Sequence, residues 1–461
     1  MIRLIIICAL IILPTHISYG RDVENTNKAV LDIQEVRSPG GLTAWLVQDN
    51  TLPIISMRFS FRGAGAVNNS AEQQGLSRLL SNTLDEGAGD LDSQNFQKGL
   101  SDNSISLSFS SGRDHFGGAL KTLTRNKEEA FEHLKLALNE PRFDEEPLER
   151  MKQANLSRIR NSVSDPNWIT ARIYNDVAYQ DHPYALNSGG TLSTLPQITS
   201  GDLRDYKNKF LTQDRLVIGV MGDISPEKLS KIIDDIFENL PKGDSEENPL
   251  KREIQNQGKL FFHEKDVPQT FIMMGLPAID ENHPDYFALQ IMNHVFGASG
   301  FGSYLMEKAR EKRGLTYGIY SYLTLFDQTK TLNISTSTQN STASEMLSVI
   351  QSEIENFSDK VTEEDIQKAK DYLTGSLPLS FTTSSDIAKI LVGMQLNNRP
   401  IDYLTNYADN INNVSKDDVA RLANDLLDST KAVTILVGNP TTLGEGLLEN
   451  YESVETIPNV E

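Results

Sequence analysis

The chain has 461 residues, 38% hydrophobic and 23% charged, with a formal net charge of −20. That is a folding composition rather than a disordered one, with length for roughly two to four domains, and the acidic balance argues against a nucleic-acid partner. The one cysteine, Cys8, lies in the N-terminal apolar run, so a chain lacking that run has no disulfide and no thiolate ligand.

The chain begins "MIRLIIICALIILPTHISYGRDVEN": a basic Arg3, an apolar stretch from Leu4 to Leu13, then Ser18-Tyr19-Gly20. The run is shorter than the roughly 20 residues that a membrane-spanning helix needs. It reads as a secretory signal peptide over residues 1–20, cleaved after Gly20, which points to an exported, periplasmic protein.

Two similar halves follow. In the first, residues 35–240, "PIISMRFSFRGAG" alternates Met57, Phe59 and Phe61 as a half-buried strand. "GLSRLLSNTLDEGAG" places Leu76, Leu79, Leu80 and Leu84 on one face of a helix expected over residues 71–85. "SISLSFSSG" is a second alternating strand. "NKEEAFEHLKLALNEP" aligns Ala130, Leu134, Ala137 and Leu138 on one helical face. "EEPLERMKQANLSRIRNSVSDP" is a long charged helix closed by Pro166, and the short apolar strand "RLVIGVMGD" comes next. The helix "SPEKLSKIIDDIFENLP" has Ser225 as N-cap and Pro226 at its first position.

"PKGDSEENPLKREIQNQG", residues 241–258, is polar and broken by Gly and Pro, and reads as a linker. The second half, residues 259–450, repeats the order: the strand "QTFIMMGLPA"; a helix aligning Ala288, Ile291, Met292 and Val295; strands "LTYGIYSYL" and "TLNISTSTQ"; two helices; and "AVTILVGNP", which answers "RLVIGVMGD". Duplicated halves mixing hairpins with helices define an α+β class with mostly antiparallel sheets.

The seven histidines (His16, His115, His133, His182, His263, His283 and His294) include no two that are three to five residues apart, so no helix offers a His pair to a metal. There is no GxSxG elbow and no Walker loop. The paired acids Glu145-Glu146 and Glu363-Glu364 lie at helix starts, where the helix dipole accounts for them.

The order of the halves and the stretch "GLSRLLSNTLDEGAG" resemble the pitrilysin/insulinase-type metallopeptidases (inverzincins), in particular their two-chain, mitochondrial-processing-peptidase-like branch, over about residues 35–450. The resemblance implies a processing-peptidase-like (LuxS-type) metallohydrolase fold in a clamshell assembly. Family peptidases carry His-x-x-Glu-His on the helix after the first strand, and a further Glu about 75 residues on. Those positions hold Arg78, Ser81, Asn82 and Arg158, the last 76 residues beyond Asn82. Arginine offers no lone pair and a permanent positive charge, so the resemblance implies that this chain holds no metal of its own.

"FGASGFGSYLMEKAREKRGLTYGIYSYL" keeps more of the family pattern: a glycine turn (Gly297, Gly300, Gly302), then Arg310 and Tyr317. By resemblance, Arg310 and Tyr317 are catalytic donors to a developing oxyanion, and the glycines contact substrate. The implied function is the non-zinc subunit of an exported heterodimeric metallopeptidase. A homologous His-x-x-Glu-His chain supplies the zinc, and unfolded peptide is the substrate, bound as an added strand at a sheet edge near Phe59–Arg62. The alternative is a non-proteolytic structural or peptide-binding protein of the same fold.

Overall fold

The computed structural model describes residues 30–244, 251–440 and 450–461. The signal segment over residues 1–20 lies outside the described residues. No helix among the described residues is long and apolar enough to cross a membrane.

The strands of the first half are β1 (Ile33–Arg37), β2 (Thr43–Gln48), β3 (Ile54–Phe61), β4 (Ser106–Ser111), β5 (Phe116–Leu123) and β6 (Leu216–Gly222). They form one sheet in the order β1-β2-β6-β3-β5-β4, antiparallel except where β2 meets β6. The second half contributes β7 (Leu260–Glu264), β8 (Gln269–Pro277), β9 (Ile319–Leu325), β10 (Lys330–Gln339), β11 (Val433–Gly438) and β12 (Glu452–Ser453). Their order is β12-β7-β11-β8-β10-β9, and β7 pairs parallel with β11 as β2 does with β6. The repeat seen in the sequence is therefore a repeat of topology: two α+β halves, each built on a six-stranded sheet.

The helices used below are α1 (Leu76–Ser81), α2 (Ser93–Asp102), α3 (Lys127–Asn139), α4 (Glu145–Ser162), α5 (Pro166–Ala178), α6 (Ser200–Phe210), α7 (Pro226–Phe237), α8 (Tyr286–Asn293), α9 (Ala343–Lys360), α10 (Glu363–Ser376) and α11 (Ser384–Leu396). Alternation sets which face of each strand is buried. Met57, Phe59 and Phe61 of β3 and Leu120 of β5 enter a core shared with α1, α3, α6 and α7. Ser225 caps α7 by accepting from the Lys228 N–H, with Pro226 in the first turn, as expected.

The helix expected over residues 71–85 is shorter. Only Leu76–Ser81 is α-helical, preceded by a 3-10 turn at Ala71–Gln73. Gly75 interrupts it by turning into the left-handed region (φ +88), and a Cβ there would also lie 2.6 Å from the Gly190 Cα. The four leucines are buried as the periodicity requires. Pro166 does not close α4, which ends at Ser162; it opens α5, capped by Asp165. Part of the polar stretch 241–258 is anchored rather than loose: Ile254 is buried, and the Gln255 N–H donates to the Ala178 carbonyl over 2.9 Å.

Each half lends a helix to the other. α5 of the first half covers β8 and β11, burying Ile169, Ile173 and Tyr174 with Val433, Ile435 and Val437. α11 of the second half covers β2, β3 and β6, burying Leu391 and Met394 with Trp45 and Val47. The joint is thus apolar on both sides, the strongest non-directional tie that a two-unit chain has.

One expectation is overturned by the topology. The segment Phe59–Arg62 is not at a sheet edge. Phe59 pairs with Gly118 of β5 on one side and with Ile218 of β6 on the other, so β3 is interior and has no free ladder for a peptide. The strand that fills the gap comes from residues more than 150 positions later, a pairing that no local pattern shows. The edge strands are β1 and β4 in the first sheet and β12 and β9 in the second.

Candidate functional site

The four positions that the resemblance aligns with a metal site meet where α1 packs on α4. Arg78 and Asn82 lie one turn apart, and α4 brings Asn155 and Arg158 to them. Asn155 donates through Nδ2 to the Asn82 Oδ1 over 3.1 Å and accepts at its own Oδ1 from the Arg158 guanidinium. Ser81 is buried, and its hydroxyl donates back to the Arg78 carbonyl over 2.8 Å. Partial burial and then the neighbouring Arg78 charge hold the Arg158 guanidinium below its ordinary range. Asn155 was not singled out from the sequence; its signal was its place one helical turn before Arg158.

This donor set does not fit zinc. Guanidinium groups present only N–H donors, neutral amide oxygens are weak ligands for zinc, and no three His, Cys, Asp or Glu side chains among the described residues converge on one point. Two like charges at the same place oppose a divalent cation further.

Arg310, Tyr317 and the glycine turn gather at the start of the edge strand β9. Arg310 sits in the π-helical turn Glu307–Glu311, with its guanidinium 4.4 Å from the centre of the Phe301 ring. That turn ends at Gly314 (φ +64), whose N–H donates to the Arg310 carbonyl over 2.8 Å, while Leu315 tucks into the core. The chain on either side of Tyr317 is pinned. The Gly318 N–H donates to Thr316 Oγ1 over 3.0 Å, and Thr336 of β10 donates to the Gly318 carbonyl over 2.9 Å. The Tyr317 side chain itself is 88% exposed. The sequence thus fixes the backbone and leaves the phenol free.

Gly300 (φ +67) and Gly302 (φ +94) flank the exposed Phe301. Gly297 differs: it is buried, and a Cβ there would lie 2.5 Å from the Ser321 hydroxyl of β9. A glycine there permits close packing of the chain on β9. Exposed Tyr320 and Tyr322 of β9 extend the aromatic surface.

A separate cleft of about 420 Å³ opens between the halves, lined by Arg62, His115 and Arg215 from one side and Asp280, Asp327 and Lys330 from the other. Of the residues assigned a site role from the sequence, only Arg62, the end of the expected edge segment, lines it. His115 Nε2 lies 3.4 Å from the Asp327 carboxylate. Burial alone would raise Asp327, but the His115 hydrogen bond and charge, with Lys330 and Arg62, outweigh it and hold the carboxyl below its ordinary range.

The duplicated α+β fold is that of peptidase M16-like proteins. Residues 197–373 match the family model described as "Peptidase M16 inactive domain". A crystal structure of a peptidase M16 inactive domain from Pseudomonas fluorescens superimposes with a TM-score of 0.84 at 25% identity, covering 90% of this chain and 99% of that one. The "Non-peptidase homolog YmxG" of Helicobacter pylori is 27% identical over 340 residues, 73% of this chain and 78% of its own. The "Uncharacterized zinc protease YmxG" of Bacillus subtilis is 24% identical over 337 residues, 70% and 78% of the two chains. This chain is similar to these M16 proteins and shares the fold of the Pseudomonas fluorescens structure, two α+β halves as the resemblance in its sequence implied.

Proposed function

We propose that this chain is the non-zinc member of a two-chain M16 peptidase, exported to the periplasm, where it acts on unfolded peptides. One contrast carries the reading. The metal position is occupied by Arg78, Ser81, Asn82 and Arg158, while Arg310 and an exposed Tyr317 persist on a pinned surface turn. A guanidinium and a phenol are donors suited to an oxyanion, and their exposure suits use by a second chain. In this reading a homologous partner with His-x-x-Glu-His contributes the zinc, and this chain contributes Arg310 and Tyr317. Peptide lies along the free edge of β9 beside Gly300 and Gly302, where main-chain pairing gives affinity with little sequence preference. Export rests on the leader sequence alone.

Co-expression with such a homologue tests the reading. The pair should cleave unfolded peptides and neither chain alone should. Tyr317→Phe or Arg310→Ala should cut turnover by roughly a hundredfold or more with pairing unchanged. Unaltered turnover in both variants refutes the assignment. A second reading, a peptide-binding or structural protein without proteolysis, draws on the "non-peptidase" name of the Helicobacter pylori relative. It predicts peptide binding with no cleavage in any pairing.

A further inference from the structure

Some arginines on this acidic chain pair with carboxylates, as Arg150 does with Glu86, Arg142 with Asp144 and Arg421 with Asp285, and others, such as Arg62 and Arg172, with backbone carbonyls. Arg78 and Arg158 come from α1 and α4 where the two helices pack, joined through Asn155 and Asn82, and neither has a carboxylate partner among the described residues. The polar groups around them already bond to one another. The Asn155 oxygen is taken by Arg158, the Asn82 oxygen is taken by Asn155, and the Ser81 hydroxyl is turned back onto its own helix. The donors open to an incoming group are the Arg78 guanidinium, the remaining N–H groups of Arg158 and the Asn82 amide NH₂, and both charges among them are positive. Holding two guanidiniums together without a counter-charge costs free energy, which an anion placed between them would recover. A planar carboxylate matches the fork of a guanidinium better than a spherical ion does.

We propose that Arg78, Asn82 and Arg158 form a carboxylate-binding site, and that its ligand is a carboxylate of an extended peptide. In place of a metal that would polarise a peptide carbonyl, the chain has a clamp that holds a peptide's acidic group. The choice of a peptide as carrier rests on the peptide-handling reading above; the choice of a carboxylate does not. Arg158 is solvent-accessible and Arg78 half-buried, so a ligand can reach both, and the site selects by charge rather than by side-chain shape.

The test uses the full chain and fluorescence anisotropy with labelled, unstructured ten-residue peptides. One set carries a free C-terminal carboxylate, one a C-terminal amide, and one an internal Asp or Asn with the C-terminus amidated. Sodium acetate and sodium sulfate serve as competitors. At low salt, a carboxylate-bearing peptide should bind at least tenfold more tightly than its neutral counterpart, and the difference should shrink as salt rises. The Arg78→Gln/Arg158→Gln variant should lose the preference to within twofold while keeping the native melting temperature. Arg78→Lys/Arg158→Lys should keep part of it. Equal binding of acidic and neutral peptides by the native chain, or an undiminished preference in the Gln variant, overturns the proposal. So does acetate or sulfate binding through these arginines with no peptide binding. A charge preference without peptidase activity in any pair would leave this site standing and remove the two-chain peptidase. An active pair blind to peptide charge would do the reverse.

Discussion

Tyr174, carried by α5 of the first half, occupies the space above Gly275 in β8 of the second, so closely that a Cβ built on Gly275 would lie 2.0 Å from the Tyr174 hydroxyl. Gly219 of β6 stands in the same relation to α11: a Cβ there would meet the Ala388 carbonyl at 2.7 Å and the Leu391 Cβ at 2.8 Å. The two halves are held by a reciprocal exchange of helices, and each exchange depends on a glycine in the receiving sheet. Gly275→Ala and Gly219→Ala should therefore each destabilise by about 1–3 kcal/mol through overpacking. Urea unfolding followed by tryptophan fluorescence should show the loss and a broadened transition. A change below 0.5 kcal/mol would mean that the helices do not bear on the joint.

Arg62 fixes the end of α11. Its guanidinium donates to the Leu396 carbonyl over 2.8 Å and to the Gln395 carbonyl, two of the carbonyls that a helix end leaves unpaired. Arg62→Ala should cost about 2 kcal/mol, the usual scale for charged hydrogen bonds. Faster amide exchange should appear over residues 391–397 before the rest of the chain. Uniform exchange across the two halves would contradict this local role.

Asp85, in the turn after α1, gives a pH prediction. Burial, opposed in part by its backbone hydrogen bond and reinforced by the Glu86 charge, raises its carboxyl from 3.8 to about 6. A raised acid stabilises the fold when protonated. That contribution is complete below about pH 4 and is lost as pH rises through about 6. Asp85→Asn should therefore stabilise the chain at pH 7.5 by on the order of 1–2 kcal/mol, and the gain should vanish below pH 4. Melting temperatures of both proteins across that range check it; a constant offset would show that the carboxyl does not titrate as stated.

Tyr317→Phe should leave the stability of the isolated chain within about 0.5 kcal/mol, because the phenol is 88% exposed and its backbone is pinned by Thr316 and Thr336. Thermal melts decide this, and a neutral result ensures that a loss of turnover in the pair reports chemistry. A substantially lowered melting temperature would make Tyr317 a packing residue.

Much of the fold was legible because its signals are local. Alternation in β3 and β5, the leucine spacing in α1 and the Ser225-Pro226 start of α7 each follow from the period of the backbone and its unpaired ends. The edge assigned near Phe59–Arg62 failed because β6 inserts beside β3 from far along the chain. It failed also because the polar face of β3, which reads as solvent-facing, is covered by α11: Ser56 lies 2.8 Å from Ser384, hydroxyl to hydroxyl. A sign of that exchange was present in α11, whose buried residues Ile387, Ala388, Leu391, Val392 and Met394 cover more than one side of the helix. The spacing from Asn82 to Arg158 was legible, and α4 does bring the two together, but through Asn155, which spacing alone did not mark.

The most direct measurement is the metal content of the purified chain after equilibration with excess zinc and desalting. The residues at the α1–α4 contact predict far less than one zinc per chain, and no hydrolysis of unfolded peptides by the chain alone. One tightly held zinc per chain, lost together with hydrolytic activity on chelation, would contradict the account.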